Sequence, residues 1–321
     1  MRADGVFSGG GIKGLAFAGA LEAAADAGYD EWVQVAGTSA GAITAMMLAV
    51  GYDADGLRNQ LETFDFSKIA DYGTPPLIGK AENLVVRHGL THGKVLHDWI
   101  RDLLKNAPHP ATKFGELDGR LRVVGTDLAH GRMVVFPEDV TLYVDKSGTP
   151  LVPDEYPIAD AVRISAGYPY FFPPLTLRDA VTGKDGVLVD GGVCSAFPIF
   201  LFDVPEPQHP TWGFRLFEGA APERPTQHAI DGIDWPIEML EAVLDTSMNA
   251  LDKLEMKAFG NRTIPIPTGA VPTLKFDLTD DEKQYLYNSG LEAAKEFFAQ
   301  NPNGENSFRA VPAALQAHAG S

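Results

Sequence analysis

Residues 32–49 read WVQVAGTSAGAITAMMLA. The apolar run at 32–36 predicts a strand, and the run from Ala42 to Ala49 predicts a buried helix. Between them lies a G-x-S-x-G pattern at 37–41. The first fifty residues alternate short apolar runs with helical patterns in the same way. This alternation predicts an α/β fold built on a central, mainly parallel sheet.

The G-x-S-x-G pattern at a strand-to-helix junction predicts a nucleophile elbow. Gly37 and Gly41 lack side chains where strand and helix nearly touch, and Ala40 keeps the first helical turn narrow. The hydroxyl of Ser39 would then lie at a helix N-terminus, where backbone amides favour a developing oxyanion. We expect Ser39 to be the nucleophile of a serine acyl hydrolase. The alternative is a tight strand-to-helix turn in which Thr38 or Ser39 only caps the helix.

A second glycine-rich turn follows the strand predicted at 5–7 and opens a helix; it reads Gly9-Gly10-Gly11-Ile12-Lys13-Gly14. It matches the dinucleotide fingerprint G-x-G-x-x-G, which also requires an acidic residue at the end of the second strand, where this chain has Ser39. The Walker pattern requires Ser or Thr after the lysine, and Gly14 stands there. The loop amides instead suit an oxyanion hole beside Ser39. The alternative is a turn that needs glycine only for positive φ.

A nucleophilic serine requires a base. The histidines late in the chain follow no convincing strand; they are His209, His228 and His318. Asp190 ends a short apolar strand and precedes Gly191 and Gly192, so we expect it at the carboxyl edge of the sheet, where ligand clefts form. Burial would have to raise its pKa from about 3.9 for it to act as a base. A simple Asp-Gly turn is the other interpretation.

The three motifs, taken in order, resemble the patatin-like phospholipase family, whose pattern is G-G-G-x-[KR]-G, then G-x-S-x-G, then D-G-[GA]. Two further blocks are similar to it, at 125–128 and 163–169, so the likeness spans residues 5–200. It implies a three-layer α/β/α patatin-like fold and a Ser39–Asp190 dyad without histidine. It also implies an oxyanion hole around Gly10 and Gly11, acyl-lipid substrates, and no metal or cofactor. One departure is segment 193–198, where the family more often has Asn before Pro.

Charge and composition limit which binding partners we expect for this protein. The formal net charge is −17, which argues against nucleic acid, because phosphate binding needs clustered Lys and Arg. It also means that electrostatics would not steer the protein to anionic membranes, so apolar contacts must serve a membrane or micellar lipid substrate. The single cysteine, Cys194, excludes an intramolecular disulfide. With no signal-peptide core and no apolar run long enough to span a bilayer, we expect a cytoplasmic protein, at most peripheral at membranes.

The remaining pattern predicts one domain over 1–321, with the motifs at 5–200, further strands and helices at 201–300, and a tail at 301–321. We expect helices at 53–64 (capped by Asp53), 91–104, 237–259 and 279–298, a hairpin around residue 131 and a strand at 212–216. Segment 67–93 lacks a period and is a candidate lid. Its His88 and His92 have no obvious third ligand, so no metal site is predicted.

The sequence therefore predicts a lipid ester hydrolase of the phospholipase A or lysophospholipase type that works through an acyl-enzyme. Two other functions remain open. One is an acyltransferase or thioesterase on a similar scaffold. The other is a non-catalytic module that binds an anion or a nucleotide.

Overall fold

The computed structural model describes residues 1–69, 91–217 and 260–301. The strands within these residues are β1 (Arg2–Phe7), β2 (Glu31–Thr38), β3 (Leu121–Asp127), β4 (Arg132–Phe136), β5 (Tyr143–Val144), β6 (Leu175–Asp179), β7 (Asp185–Asp190), β8 (Thr211–Phe217) and β9 (Thr263–Pro267). The α-helices within them are α1 (Leu15–Asp26), α2 (Ala40–Ala49), α3 (Ala54–Thr63), α4 (Lys94–Lys105), α5 (Ile158–Ser165) and α6 (Asp280–Gln300).

These strands form a single mixed sheet in the order β5-β6-β7-β3-β2-β1-β8-β9, with β4 paired to β3. The central strands β3, β2, β1, β8 and β9 run parallel. β4 and β7 both run antiparallel to β3, and β6 and β5 continue that antiparallel part. The sheet with flanking helices agrees with the α/β class predicted from sequence. Strands β8 and β9, which follow the three motifs in the chain, extend the same sheet.

The two faces of β1 pack against different partners. Phe7 points toward α1, where its ring meets that of Phe17 at 5.4 Å between centroids. Val6, on the opposite face, clusters with Ala36 and with the short turn Ile199–Phe202. This alternation of neighbouring residues is the period-two pattern of a strand buried on both faces.

Helix α2 is buried on nearly all sides, which explains its apolar sequence. Nine of its ten residues are buried, and Ile43 is the exception. A helix surrounded by protein needs no polar face. Ile43 therefore marks the side of α2 that faces open space, and that side borders the candidate site.

Helices α1 and α6 pack at backbone distance through glycines. A Cβ at Gly290 would lie 1.8 Å from the carbonyl oxygen of Ala16, and one at Gly19 would lie 2.0 Å from that of Tyr287. Neither position tolerates a side chain without separating the helices. The last described helix is thus fixed to the helix that follows the glycine-rich turn.

The predicted helix boundaries agree with the structure at Asp53 and differ from it at Thr91. Asp53 caps α3 through a 2.8 Å bond from the Gly56 amide, as predicted. The helix predicted from Thr91 starts at Lys94 instead, because Thr91 donates both its amide and its hydroxyl to the carbonyl of Phe171. The helix predicted at 237–259 and most of the candidate lid at 67–93 lie outside the described residues. None of the described helices is long and apolar enough to cross a bilayer.

Candidate active site

Ser39 has a strained backbone at the centre of the G-x-S-x-G turn. Its φ of 55° and ψ of −121° lie in a region that L-residues rarely adopt, at a cost of about 1–3 kcal/mol. A Cβ at Gly37 would lie 2.2 Å from the backbone of Gly41, and one at Gly41 would lie 2.1 Å from the carbonyl oxygen of Phe7. Both glycines of the pattern are therefore required for the close approach of strand and helix.

Side chains from distant segments hold this elbow. The amide of Ser39 donates to Ser165 Oγ at 2.9 Å, and Ser165 Oγ donates to the carbonyl of Val124 at 2.6 Å. Thr38 Oγ1 donates to the backbone carbonyl of Ser195 at 2.9 Å. The strained turn is thus fixed on both sides of the peptide that joins Thr38 to Ser39.

Asp190 reaches Ser39 by a route that the sequence did not predict. The sequence predicts Asp190 at the carboxyl edge of the sheet, and Asp190 is the last residue of β7, but β7 runs antiparallel to β3. Thr38, at the end of β2, pairs with Val124, and Asp190, at the end of β7, pairs with Gly125. Since β4 occupies the other edge of β3, β2 and β7 share one edge and meet end to end. The carboxyl end of β7 thus lies beside the carboxyl end of β2, and the extra length of β3 brings Asp190 and Ser39 together.

The carboxyl of Asp190 is buried, and its ionisation is correspondingly difficult. The residue is 5% exposed, and burial raises its pKa to about 7. Hydrogen bonds from the Gly192 amide, at 2.8 Å, and from the Ser39 side chain partly oppose that rise. A carboxylate of this pKa, in contact with a serine hydroxyl, is suited to accept a proton near neutral pH.

Two amides of the glycine-rich turn differ from the others in having no acceptor among the described residues. The amide of Gly9 donates to Ala196 O at 2.8 Å, that of Ile12 to Thr273 O at 3.2 Å, and that of Lys13 to Gly10 O at 3.3 Å. Gly14 closes the short helical turn Gly11–Gly14. Among the described residues, no group accepts a hydrogen bond from the amides of Gly10 and Gly11. Both line the same cleft as Ser39 and Asp190.

The lining of that cleft is mostly apolar, and besides the groups named above it includes Tyr168. It encloses about 900 Å³, counted with its opening to solvent, and its side walls include Ile43, Phe66, Trp99, Phe172, Leu274 and Phe276. A second cleft of about 880 Å³ lies behind Ile43, Phe66, Trp99 and Phe276, which line both, and continues along Leu61, Phe64 and Leu278. Apolar walls with a few convergent polar groups are typical of small-molecule sites.

The family model for patatin-like phospholipase matches residues 5–203. The chain belongs to the patatin-like phospholipase family. Uncharacterised protein YqhO of Bacillus subtilis (strain 168) is 37% identical over 305 residues, covering 94% of this chain and 99% of that protein. Uncharacterised protein R571 of Acanthamoeba polyphaga mimivirus is 25% identical over 305 residues, and the match covers 90% of this chain and 91% of R571.

Two solved structures show the same patatin-like fold. VipD from Legionella pneumophila matches with a TM-score of 0.57 and 18% identity, covering 93% of this chain and 67% of VipD. The type III effector protein ExoU matches with a TM-score of 0.50 and 19% identity, covering 94% of this chain. This chain spans about half of ExoU, 53% of its length.

The histidines of this patatin-like chain lie away from Ser39 wherever the structure describes them. His209 faces Asp4 at 3.3 Å, in the first half of β1, whereas the glycine-rich turn follows the end of that strand. His130 and His97 pair with Asp127 and Asp160, each at 2.8 Å. Within the described ranges, the cleft that holds Ser39 has no histidine in its lining. His88, His228 and His318 lie outside those ranges.

Metal ligands are not clustered in the described part of the chain. No group of three or more His, Cys, Asp or Glu side chains there could hold a metal ion. His92, half of the pair at 88–92, is described, and His88 is not.

The sequence did not predict three contributors to this candidate site. Ser165 binds the Ser39 amide, the carbonyl of Gly167 accepts the Asp190 amide at 3.0 Å, and Thr273 supports the glycine-rich turn. Ser165 and Gly167 lie in the block at 163–169 that resembles the family, which was the available signal. Thr273 lies far beyond the last recognised motif, and nothing in its surroundings pointed to the site.

Proposed function

We propose that this chain hydrolyses carboxylic esters of lipids, as a phospholipase A or lysophospholipase, with Ser39 as nucleophile and Asp190 as its base. The observation that carries the proposal is the meeting of a strained serine and a buried carboxyl of raised pKa at one apolar cleft. Membership of a phospholipase family supports the substrate class.

The dyad accounts for both halves of the reaction. The Asp190 carboxylate takes the proton of Ser39 Oγ as that oxygen attacks the ester carbonyl carbon. The bond to the alcohol oxygen then breaks, and the leaving alcohol receives the proton from Asp190. Asp190 next takes a proton from water, which attacks the acyl-enzyme. The fatty acid leaves, and the proton returns to Ser39. A base with a pKa near the working pH is the most effective for such transfers.

In this mechanism the amides of Gly10 and Gly11 donate hydrogen bonds to the oxyanion of each tetrahedral intermediate. The amides of Gly9, Ile12 and Lys13 already donate to carbonyls, and the Ser39 amide donates to Ser165. Of the residues at 9–14 that the sequence predicted for the oxyanion hole, we therefore assign this role to Gly10 and Gly11. Losing one such donor typically costs about 10²–10³ in kcat.

The apolar cleft beside Ser39 suits the acyl chain of the substrate. Its aromatic and aliphatic walls would bury the chain, while the ester carbonyl reaches Ser39 at the polar end. The net charge of −17 disfavours anionic lipid surfaces. We therefore expect faster hydrolysis of zwitterionic or neutral lipids than of anionic ones.

The test is fatty-acid release by the purified full chain. We would offer phosphatidylcholine vesicles, lysophosphatidylcholine micelles, phosphatidylglycerol vesicles and diacylglycerol, each to wild type, Ser39→Ala and His209→Ala. We expect release by wild type and His209→Ala and none above background by Ser39→Ala. Release by Ser39→Ala at the wild-type rate would overturn the proposal. A folded wild type without hydrolysis on any substrate would favour a binding module, and acyl transfer to an added alcohol in preference to water would favour an acyltransferase.

A further inference from the structure

The parallel ladder between β2 and β3 is interrupted at Ser39. At the end of β1, the amide after the last strand residue, that of Ser8, donates directly to Phe214 O on β8 at 3.0 Å. The corresponding pair at the end of β2 is the amide of Ser39 and the carbonyl of Val124, since Thr38 pairs with Val124. Here the Ser165 hydroxyl stands between donor and acceptor, bonded to each.

We propose that Ser165 is a positioning residue for the nucleophile. Its inserted hydroxyl replaces one direct ladder bond by two, so it holds the backbone of Ser39 apart from β3 while still satisfying the Ser39 amide. This inference rests on the proposed function of Ser39, and it adds a role for a residue outside the dyad and the oxyanion hole.

The packing around Val124 explains why the backbone of Ser39 has to be kept apart from β3. β7 ends at Asp190 on the same edge of β3, and the chain then turns at Gly191, where a Cβ would lie 2.2 Å from Val124 O and 3.0 Å from Thr38 Cγ2. The end of β2 and the turn after β7 therefore compete for the space beside Val124. A direct Ser39–Val124 bond would draw the nucleophile into that space, and the Ser165 hydroxyl prevents it.

The Ser165 side chain is well fixed for this task. The residue is fully buried at the end of α5, and its proton is committed to Val124 O, so a lone pair of Oγ faces the Ser39 amide. A buried hydroxyl with both partners satisfied has one stable orientation. Ser39 is thereby held in its strained conformation of positive φ.

The decisive variant is Ser165→Ala, with Ser289→Ala as its matched control. Ser289 lies on α6 and its hydroxyl donates to the carbonyl of Pro267, so the control also removes a hydroxyl-to-carbonyl hydrogen bond but leaves the bridge at Ser39 intact. We would measure the second-order rate of fluorophosphonate labelling at Ser39, kcat and KM for a lysophosphatidylcholine substrate, and the pH dependence of each.

For Ser165→Ala we expect the labelling rate and kcat to fall by about 10–10²-fold with KM little changed, because the nucleophile is misplaced while the cleft walls are intact. The midpoint of the pH profile should stay near that of wild type, since the burial of Asp190 is unaltered. Ser289→Ala should keep the labelling rate, kcat and pH profile of wild type.

Labelling of Ser165→Ala at the wild-type rate would overturn the inference. A midpoint shifted far toward acid would also overturn it, because that shift would mean that Ser165 keeps Asp190 buried and does not position Ser39. If Ser165→Ala does not fold, Ser165→Cys replaces it, with a weaker donor of similar size and an expected intermediate rate; a wild-type rate there contradicts the inference. Failure of wild type itself to label at Ser39 would instead overturn the proposed function.

Discussion

Ser39 and Asp190 lie at the ends of two strands that meet end to end along one edge of β3. Thr38 pairs with Val124 and Asp190 pairs with the next residue, Gly125. Because a shift of one residue reverses the side that every side chain of a strand faces, the pairing of β7 with β3 determines whether Asp190 faces Ser39 at all. The candidate dyad therefore depends on the register of β7, an antiparallel strand that meets the end of the parallel strand β2.

The raised pKa of Asp190 predicts the pH dependence of hydrolysis. Only the ionised carboxyl can take the proton of Ser39, so kcat/KM should rise with pH through a midpoint near the Asp190 pKa of about 7 and then level off. Fatty-acid release measured by titration between about pH 5 and pH 9 tests this. A rate independent of pH over that range would contradict a base of raised pKa.

Asp190→Asn should stabilise the protein while abolishing turnover. The unfolded carboxyl ionises near its ordinary value of 3.8 and the folded one near 7, so wild type loses stability relative to the variant as pH rises between those values. Above about pH 7 the difference should be constant, at up to about 4 kcal/mol.

Urea unfolding of both proteins at pH values below, between and above those two pKa values measures this difference. At the lowest pH the free energies of unfolding should agree, because the carboxyl is then protonated in both states. A difference that shrinks with rising pH would have the wrong sign and would contradict the burial cost.

Ser39→Gly should be more stable than Ser39→Ala. Glycine adopts the φ of 55° at little cost, whereas alanine keeps the strain, so we expect a difference of about 1 kcal/mol in the free energy of unfolding. Ala40→Gly, one residue further and inside α2, is the control and should lose about 0.5–1 kcal/mol. Equal stabilities of the two Ser39 variants would mean that the elbow stores no strain.

Gly11→Ala should remove activity for two reasons: the new Cβ clashes with its surroundings, and alanine is strained at the positive φ of this residue. Its Cβ would lie 2.3 Å from Thr273 O, so the turn must shift and carry the Gly10 and Gly11 amides with it. We expect kcat to fall by about 10²-fold or more. Gly131→Ala is the control: its φ of 62° matches the 57° of Gly11, but nothing lies within 4 Å of its Cβ.

Measuring activity and thermal unfolding of both glycine variants separates the effect of the steric contact at Gly11 from the effect of positive φ. Gly131→Ala should lose some stability and keep its hydrolysis rate. Equal activity in both variants, with both folded, would argue against the oxyanion role of the turn.

The local motifs could be predicted from sequence because their causes are local. Gly37 and Gly41 are needed where strand meets helix within five residues, and Asp53 caps α3 across three residues. Such short-range requirements leave a recognisable pattern. The strand before Asp190 and the strand β8 were likewise indicated by their apolar runs.

The remaining features depend on pairings between distant residues. The direction of β7 follows from its partners on β3 and β6, which its six residues do not encode. Ser165 reaches Ser39 across 126 positions of sequence. Strand β9 was missed because Pro265 and Pro267 disfavour a strand; they are tolerated there because β9 is the last strand of the sheet.

The central claim is that Ser39 is a nucleophile activated by Asp190, and covalent labelling tests it most directly. Wild type, Ser39→Ala and Asp190→Asn would be treated with a fluorophosphonate, digested and mapped by mass spectrometry. We predict one adduct, on Ser39, in wild type, none in Ser39→Ala, and labelling slowed by orders of magnitude in Asp190→Asn. An adduct on another residue, or folded wild type without any adduct, would contradict the claim.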